Sequence, residues 1–202
     1  MTTQAGVIKK ADRTNLAPPT KQQLIHLISI VPNLKHQALF ILLYITGCRI
    51  SEITGRTQQG KTLHEPIYKH QVELKEEEGR QTFIIQNVKV LKRRTTTIIR
   101  KTIRLPIDPE KQFLEPLMTY IDTLEMDEPL FNYHPGYVWE LAKKYFGQNY
   151  FPHFFRHTRA TRLASDYGFN AIELATFLGW GDTRVAMTYT HLSTQDLAKK
   201  IR

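Results

Sequence analysis

The chain contains one cysteine, Cys48, among 202 residues. A single cysteine excludes a disulfide within the chain and any zinc site built from several cysteines, and it is typical of proteins in a reducing compartment. The longest apolar run, from Ala38 to Thr46, is far shorter than the roughly 20 residues that cross a bilayer as a helix. The first twenty residues lack the apolar segment of a secretory signal. We therefore expect a cytoplasmic protein with no membrane partner.

Acidic residues are scarce in two long stretches of the chain. The whole sequence has 28 Lys and Arg against 19 Asp and Glu, a formal net charge of +9. Residues 79–107 contain eight basic residues and no acidic one, and residues 129–165 contain five basic residues and one acidic one. Charge separated in this way favours a face that binds a polyanion, with nucleic acid as the leading class. A basic surface that serves only solubility is the alternative.

Hydrophobic periodicity and turn signals predict an α+β chain that is mostly helical and carries a small three-stranded antiparallel sheet. With 41% hydrophobic residues the chain can bury a sizeable core. Residues 1–19 are predicted as a polar arm or linker, and residues 20–202 as one domain. Strands are predicted at 67–68, 82–85 and 97–105, the last two forming a long basic hairpin. Helices are predicted over 20–31, 35–46, 49–54, 110–124, 135–146, 152–167, 171–178, 183–189 and 194–201.

The segment Phe151-Pro-His-Phe-Phe-Arg-His157 carries the strongest sign of chemistry. Pro152 is well placed as the first residue of a helix, which puts His153 and Arg156 on one face of its first turn. The N-terminus of a helix attracts anions through its unpaired N–H groups and its dipole. The segment therefore predicts a phosphate site beside a titratable group. The alternative is a pair of packing histidines and a surface arginine.

Two further segments place polar side chains beside the predicted core. Gly47 separates a buried helix from a new one, so Arg49 lies at a helix N-terminus where its guanidinium needs a carboxylate or a bound anion. Glu52, one turn later, can orient it, and a purely structural pair is the alternative. Further on, Trp180 lies in a turn and Tyr189 lies near the end of a short helix. A tyrosine near arginines can attack phosphorus, or it can be an ordinary tyrosine.

Together these segments resemble the catalytic domain of the tyrosine recombinase (phage integrase) family. The resemblance rests on Gly-x-Arg-Ile-Ser-Glu at 47–52, His-x-x-Arg-His at 153–157, and Leu-Gly-Trp at 178–180 followed by Tyr-Thr-His at 189–191, in this order and spacing. It covers roughly residues 19–202. It implies the catalytic-domain fold of that family and a site-specific recombinase or integrase that cleaves and rejoins double-stranded DNA through a 3′-phosphotyrosine. It implies neither a cofactor nor a metal.

The resemblance also assigns catalytic roles. Arg49 and Arg156 would clamp the scissile phosphate and stabilise the pentacoordinate transition state. His153 matches the catalytic histidine of the family, and Tyr189 matches its nucleophile. Trp180 stands where most members have a second histidine and a minority have tryptophan, so its indole N–H would donate to the phosphate but exchange no proton.

Other positions carry supporting roles in the same resemblance. Glu52 matches the acidic position of the family, and His157 matches a more structural histidine. Lys89, on the predicted hairpin, is the expected general acid for the departing 5′ oxygen, with Lys92 as its competitor. Contacts to the DNA backbone are expected from six cations: Lys92, Arg93, Arg94, Arg100, Lys101 and Arg159.

One departure from the family concerns length. Members usually carry an N-terminal helical domain that closes around DNA, and only about nineteen residues precede the first predicted helix here. We expect either a catalytic-domain fragment or a naturally minimal member. The helix predicted at 194–201 implies self-association on DNA as a dimer or tetramer. Two alternatives stay open: a type IB topoisomerase that relaxes DNA as a monomer, and a non-catalytic DNA-binding regulator on the same fold.

Overall fold

The computed structural model describes residues 17–90 and 99–190 of the chain. Eight α-helices lie within these residues: α1 (Lys21–Ser29), α2 (Leu34–Thr46), α3 (Ile50–Thr54), α4 (Ile107–Ile121), α5 (Pro135–Phe146), α6 (Pro152–Ser165), α7 (Ala171–Leu178) and α8 (Thr183–Met187). Five strands accompany them: β1 (Arg56–Gln58), β2 (Lys61–His64), β3 (Val72–Glu77), β4 (Arg80–Val90) and β5 (Ile99–Pro106). The predicted α+β class is confirmed. The expectations for Lys92, Arg93, Arg94, the helix 194–201 and most of the arm 1–19 lie outside the described residues.

The helices begin and end largely where their capping residues predict. Thr20 caps α1 and forms a capping box with Gln23. Asp182 caps α8, and α7 ends at Gly179 in the left-handed region. Four predicted helix ends were two or three residues too late. The observed ends are Ser29 for α1, Ile121 for α4, Ser165 for α6 and Met187 for α8, against predicted ends at 31, 124, 167 and 189. The fourth helix begins at Ile107, three residues before the predicted Glu110.

The three-stranded antiparallel sheet is present, in the order β3-β4-β5, but its first strand was predicted wrongly. Tyr68 makes only an isolated bridge to Pro129. The edge strand is instead β3, the acidic segment whose first residue Val72 pairs with Ile85. Charged side chains are tolerated there because an edge strand exposes one side to water.

A hairpin formed by β1 and β2 was not predicted at all. Gln58 pairs with Lys61, and the two residues between them, Gln59 and Gly60, both have positive φ. This is the backbone of a type I′ turn, which favours glycine at its second central position. The signal was therefore present as a Gln-Gly pair, and the flanking residues were too polar to suggest strands.

The core surrounds α2, in which every residue from Ala38 to Thr46 is buried. This helix packs against α4 and α6. A smaller apolar cluster joins α6, α7 and α8 around Leu174 and Leu178, and Trp180 and Tyr189 pack against it. Phe177 packs against both clusters. This packing brings the C-terminal ends of α2 and α7 next to the N-terminal half of α6.

Candidate active site

Arg156 lies at the meeting point of three helices. It is 3% exposed, and its guanidinium donates to the carbonyls of Gly47 at 2.5 Å and Leu178 at 2.8 Å. These carbonyls follow α2 and end α7, so the charge is held by the C-terminal ends of two helices. Gly47 has a φ of +58°, in the left-handed region that glycine adopts without strain. Burial and the nearby Arg49 lower the pKa of Arg156.

Arg49 is held beside Arg156 by a carboxylate. It is the N-cap of α3, and its guanidinium lies 2.9 Å from Glu52 Oε1 while its backbone N–H donates to Glu52 Oε2 at 2.8 Å. Glu52 is 1% exposed, whereas the Arg49 side chain is 30% exposed. Two guanidinium groups repel each other at short range, and the buried carboxylate offsets part of that repulsion. The structure thus contains the predicted pair of Arg49 and Glu52.

Tyr189 contacts two of the predicted site residues. Its ring stacks on Trp180 with centroids 5.5 Å apart and an interplanar angle of 19°. Its hydroxyl lies 2.8 Å from Nδ1 of His157. Arg156 completes the chain of contacts, since its Cζ lies 5.4 Å from the centroid of the Trp180 ring. The nucleophile predicted from sequence and the buried arginine therefore share one aromatic neighbour.

Burial shifts the pKa values of Tyr189 and His157 in opposite directions. Burial raises the pKa of the Tyr189 hydroxyl, and Arg156 opposes part of that rise. Burial lowers the pKa of His157. At neutral pH the proton therefore stays on the tyrosine, and the imidazole is neutral and can accept it through Nδ1. The sequence assigned His157 a structural role and gave no sign of this contact.

His153 lies on the first turn of α6 and belongs to the same electrostatic group. Its pKa is lowered by desolvation first, then by the charges of Arg156 and Arg49, while Glu52 acts in the opposite direction. His153 is thereby kept neutral near pH 7 in spite of its exposed position. A neutral imidazole beside two guanidinium groups can donate a hydrogen bond to a phosphate oxygen without adding a third charge.

Lys89 is placed differently from the other predicted catalytic residues. It lies near the end of β4, half exposed, with its ammonium 3.4 Å from the carbonyl of Leu63. The described contacts join Arg156, Trp180, Tyr189 and His157 into one cluster. The charge of Arg49 acts on Arg156, whereas Lys89 lies against β2. The prediction of Lys92 as its competitor falls outside the described residues.

Among the predicted DNA-binding cations, Arg100 and Lys101 differ in exposure. Arg100 is exposed on β5 and lines a surface groove with Gln71, Gln86 and Asn87. Lys101 is half-buried and donates to the carbonyl of Phe177 at 2.8 Å. Of these two cations, Arg100 is therefore exposed and Lys101 is only partly exposed.

The expectation that Arg159 contacts DNA is corrected by its burial. Arg159 is 2% exposed and lies 2.5 Å from Glu110, which is 3% exposed. Its guanidinium also lies over the ring of Tyr44, 5.3 Å from the centroid. Because Arg159 falls on the inner face of α6, its charge is used inside the domain.

Residues 17–90 and 99–190 contain no group of three or more His, Cys, Asp or Glu side chains arranged to hold a metal ion. Among the same residues, no helix has the length and apolar character needed to span a membrane. The site described above consists of arginine, histidine, tryptophan and tyrosine side chains with one carboxylate, Glu52.

Comparisons with known proteins identify the family and the fold. Residues 19–196 match the model of the Phage integrase family. The fold is similar to XerA recombinase, with 18% identity and a TM-score of 0.57 over 92% of this chain and 64% of that one. It is also similar to XerH site-specific recombinase bound to difH substrate in a post-cleavage complex, with 15% identity and a TM-score of 0.55 over 89% and 50%.

A third similar structure is the Tn1549 transposon integrase in complex with transposon right end DNA. It has 21% identity and a TM-score of 0.53, covering 91% of this chain and 64% of that chain. The chain thus spans between half and two thirds of the length of these three structures. The chain has no match among the curated proteins compared with it.

Proposed function

Because this chain belongs to the Phage integrase family, the tyrosine recombinases, we propose that it is a site-specific recombinase that cleaves and rejoins double-stranded DNA. The observation that carries the proposal is the continuous contact from His157 through Tyr189 and Trp180 to Arg156. It combines a nucleophile, a proton acceptor and a buried cation in one place. Phosphoryl transfer needs little more from a protein than positioning and charge stabilisation.

In the proposed cleavage step, Tyr189 Oη attacks the phosphorus of a DNA phosphodiester. Its proton passes to Nδ1 of His157, which lies at hydrogen-bond distance. The bond between phosphorus and the 5′ oxygen breaks, and Lys89 donates a proton to that oxygen. The products are a 3′-phosphotyrosine and a free 5′-hydroxyl. Attack of a 5′-hydroxyl from a partner strand reverses these transfers and releases the tyrosine.

Charge stabilisation in this step falls to the two arginines and their neighbours. Arg156 is fixed by two carbonyls, and Arg49 by Glu52, so neither has to reorganise when the phosphorane forms. His153 and the indole N–H of Trp180 would donate to its non-bridging oxygens. The energy of the broken bond is kept in the phosphotyrosine ester, so resealing needs no nucleotide cofactor.

The partner in this proposal is double-stranded DNA, held through its backbone by the basic segment between β4 and β5. Of the predicted contacts, Arg100 and Lys101 belong to β5, and we retain Lys92, Arg93 and Arg94 as proposals. Strand exchange requires more than one active site, so we propose self-association on DNA as a dimer or tetramer. A protein acting in this way would work where cellular DNA is exposed to it, in agreement with the cytoplasmic location expected from the sequence.

The test is covalent capture of DNA. A random duplex pool carrying nicks would be incubated with the protein, and strands that remain attached after denaturation would be sequenced to define a target. A nicked duplex of that target would then be incubated separately with wild type, Tyr189→Phe and the control Tyr137→Phe. The control removes a hydroxyl from an exposed tyrosine on α5. We expect the adduct with wild type and the control, and none with Tyr189→Phe.

Three other outcomes would contradict parts of the proposal. An adduct with Tyr189→Phe would exclude Tyr189 as the nucleophile. Binding of the pool without any adduct would favour a non-catalytic regulator. Relaxation of supercoiled DNA that lacks paired target sites would favour a topoisomerase.

A further inference from the structure

The hairpin formed by β1 and β2 makes direct contact with Lys89. His64, at the end of β2, is 1% exposed. Its Nε2 lies 3.0 Å from the backbone carbonyl of Lys89, and its Nδ1 lies 2.9 Å from the backbone carbonyl of Glu65. In return, the Lys89 ammonium donates to the carbonyl of Leu63 at 3.4 Å. Two consecutive residues of β2 thus contact the same lysine, one at its backbone and one at its side chain.

The part of β4 that carries Lys89 is paired with β5 but no longer with β3. The ladder between β3 and β4 ends at the pair of Val72 and Ile85. Immediately beyond, the register against β5 shifts between Ile85 and Val88, and Asn87 has a φ of +56°. A bulge of this kind bends the strand and leaves its path dependent on local contacts. Across the sheet Lys89 faces Arg100, a like charge that gives no attraction.

We propose that His64 is a positioning residue for Lys89, acting through the hydrogen bond from its Nε2 to the Lys89 carbonyl. The inference rests on the proposed role of Lys89 as general acid. His64 takes the place on this side of β4 that β3 no longer occupies, and it fixes the backbone from which the lysine side chain extends. Proton donation to a leaving group is sensitive to displacements of about 1 Å, which can cost roughly 100-fold in rate.

The two ring nitrogens of His64 allow its two contacts to be separated. A glutamine places its amide nitrogen near the position of Nε2 and can still donate to the Lys89 carbonyl. An asparagine is shorter, so it reaches the position of Nδ1 near Glu65 and leaves the Lys89 carbonyl without this donor. If His64 acts through Lys89, His64→Gln should retain function and His64→Asn should lose it. A residue needed only for the base of the hairpin would show the reverse order.

The chemistry of the leaving group tests whether the loss passes through the general acid. A 5′-bridging phosphorothiolate places sulfur at the leaving position, and a thiolate leaves without being protonated because it is a far weaker base than an alkoxide. Single-turnover cleavage would be measured on the captured target as phosphodiester and as phosphorothiolate. The proteins compared are wild type, His64→Gln, His64→Asn, Lys89→Gln, and the control Thr62→Ala on the same strand.

On the phosphodiester we expect His64→Asn to be slower than wild type by about 10- to 100-fold, and His64→Gln to stay within about threefold. On the phosphorothiolate all variants should cleave at close to the wild-type rate, which also shows that they are folded with the nucleophile intact. Equal losses for His64→Asn on both substrates, or no loss on either, would overturn the inference.

The lysine variant separates failure of this inference from failure of the proposed function. Loss with Lys89→Gln on the phosphodiester and recovery on the phosphorothiolate supports Lys89 as the general acid that His64 positions. Wild-type rates with Lys89→Gln on both substrates would refute the link between His64 and a general acid while leaving the recombinase proposal intact. A wild-type protein that cleaves neither substrate contradicts the proposed function itself.

Discussion

Replacing Arg159 by methionine removes the cation from a buried ion pair and leaves its partner in place. Arg159 and Glu110 are 2% and 3% exposed, and their charged groups are 2.5 Å apart. Methionine keeps most of the apolar length of the arginine stem, so the change tests the charge more than the volume. The variant also tests whether Arg159 has any part in DNA binding, the role that the sequence first suggested.

The magnitude follows from what remains around Glu110. Removing one partner of a buried pair typically costs about 3–5 kcal/mol, because the other charge stays buried without compensation. Here Lys21 lies 3.5 Å from Glu110 Oε2, and the hydroxyl of Tyr167 donates to Oε1 at 3.2 Å. These two contacts offset part of the loss, so we expect a decrease of about 3 kcal/mol in the free energy of unfolding. A change of that size lowers the ratio of folded to unfolded protein by about 100-fold or more.

Urea denaturation followed by far-ultraviolet circular dichroism would measure this change, with Lys111→Met as the matched control. Lys111 lies on the same helix as Glu110 and forms an ion pair with Glu115 in which both side chains are more than 60% exposed. Removing the Lys111 charge should therefore cost no more than about 0.5 kcal/mol. The double variant Arg159→Met with Glu110→Gln should recover part of the stability, since no buried carboxylate is then left unpaired. DNA affinity of folded Arg159→Met should equal that of wild type. Unchanged stability together with weaker DNA binding would refute the reasoning.

Two further predictions concern the site and its pH dependence. Gly47→Ala should lower the free energy of unfolding by about 1–3 kcal/mol and should also slow DNA cleavage. The new Cβ would meet the Leu178 side chain at a positive φ and shift the carbonyl that holds Arg156. Urea denaturation and the adduct assay measure the two effects, and a variant as active as wild type would contradict the assigned contact. Because burial lowers the pKa of both His153 and His157, the unfolded chain binds protons at a higher pH than the folded one, so the free energy of unfolding should fall as pH drops from about 7.5 to about 5.5. His157→Gln should weaken that dependence, and a pH slope equal to that of wild type would contradict the assigned shift.

Local signals predicted the helices well and the edge of the sheet poorly. Thr20, Asp182 and Gly179 act within one turn of their own positions, so their caps could be read from sequence alone. The strand from Val72 to Glu77 has no such signal, because its pairing with β4 decides its conformation and its charged side chains face outward. A strand at the edge of a sheet is specified by its neighbour more than by its own residues.

The parts of the site that the sequence did not predict are contacts between distant residues. His157 and Tyr189 are 32 positions apart, His64 and Lys89 are 25 apart, and Arg159 and Glu110 are 49 apart. The motifs named four of these six residues among the site, but neither periodicity nor spacing states which side chains touch. Arg159 shows the consequence most clearly. It lies three residues after Arg156 on α6, and only the packing of α4 against the core decides that its charge is turned inward.

The charges around Tyr189 fit the transition state of the proposed cleavage step better than they fit the bound phosphodiester. Arg49 and Arg156 carry two positive charges, Glu52 carries one negative charge, and the lowered pKa values keep His153 and His157 neutral near pH 7. Apart from Lys89, whose ammonium lies against the carbonyl of Leu63, these groups sum to a single positive charge, which matches the single negative charge of a phosphodiester. In the proposed step, Tyr189 would give its proton to His157 as it attacks, so the phosphorane would hold two negative charges and the new imidazolium would supply a second positive charge. The match between site and substrate would therefore be kept as the proposed reaction proceeds, and the increase in both charges would make the attraction strongest in the transition state.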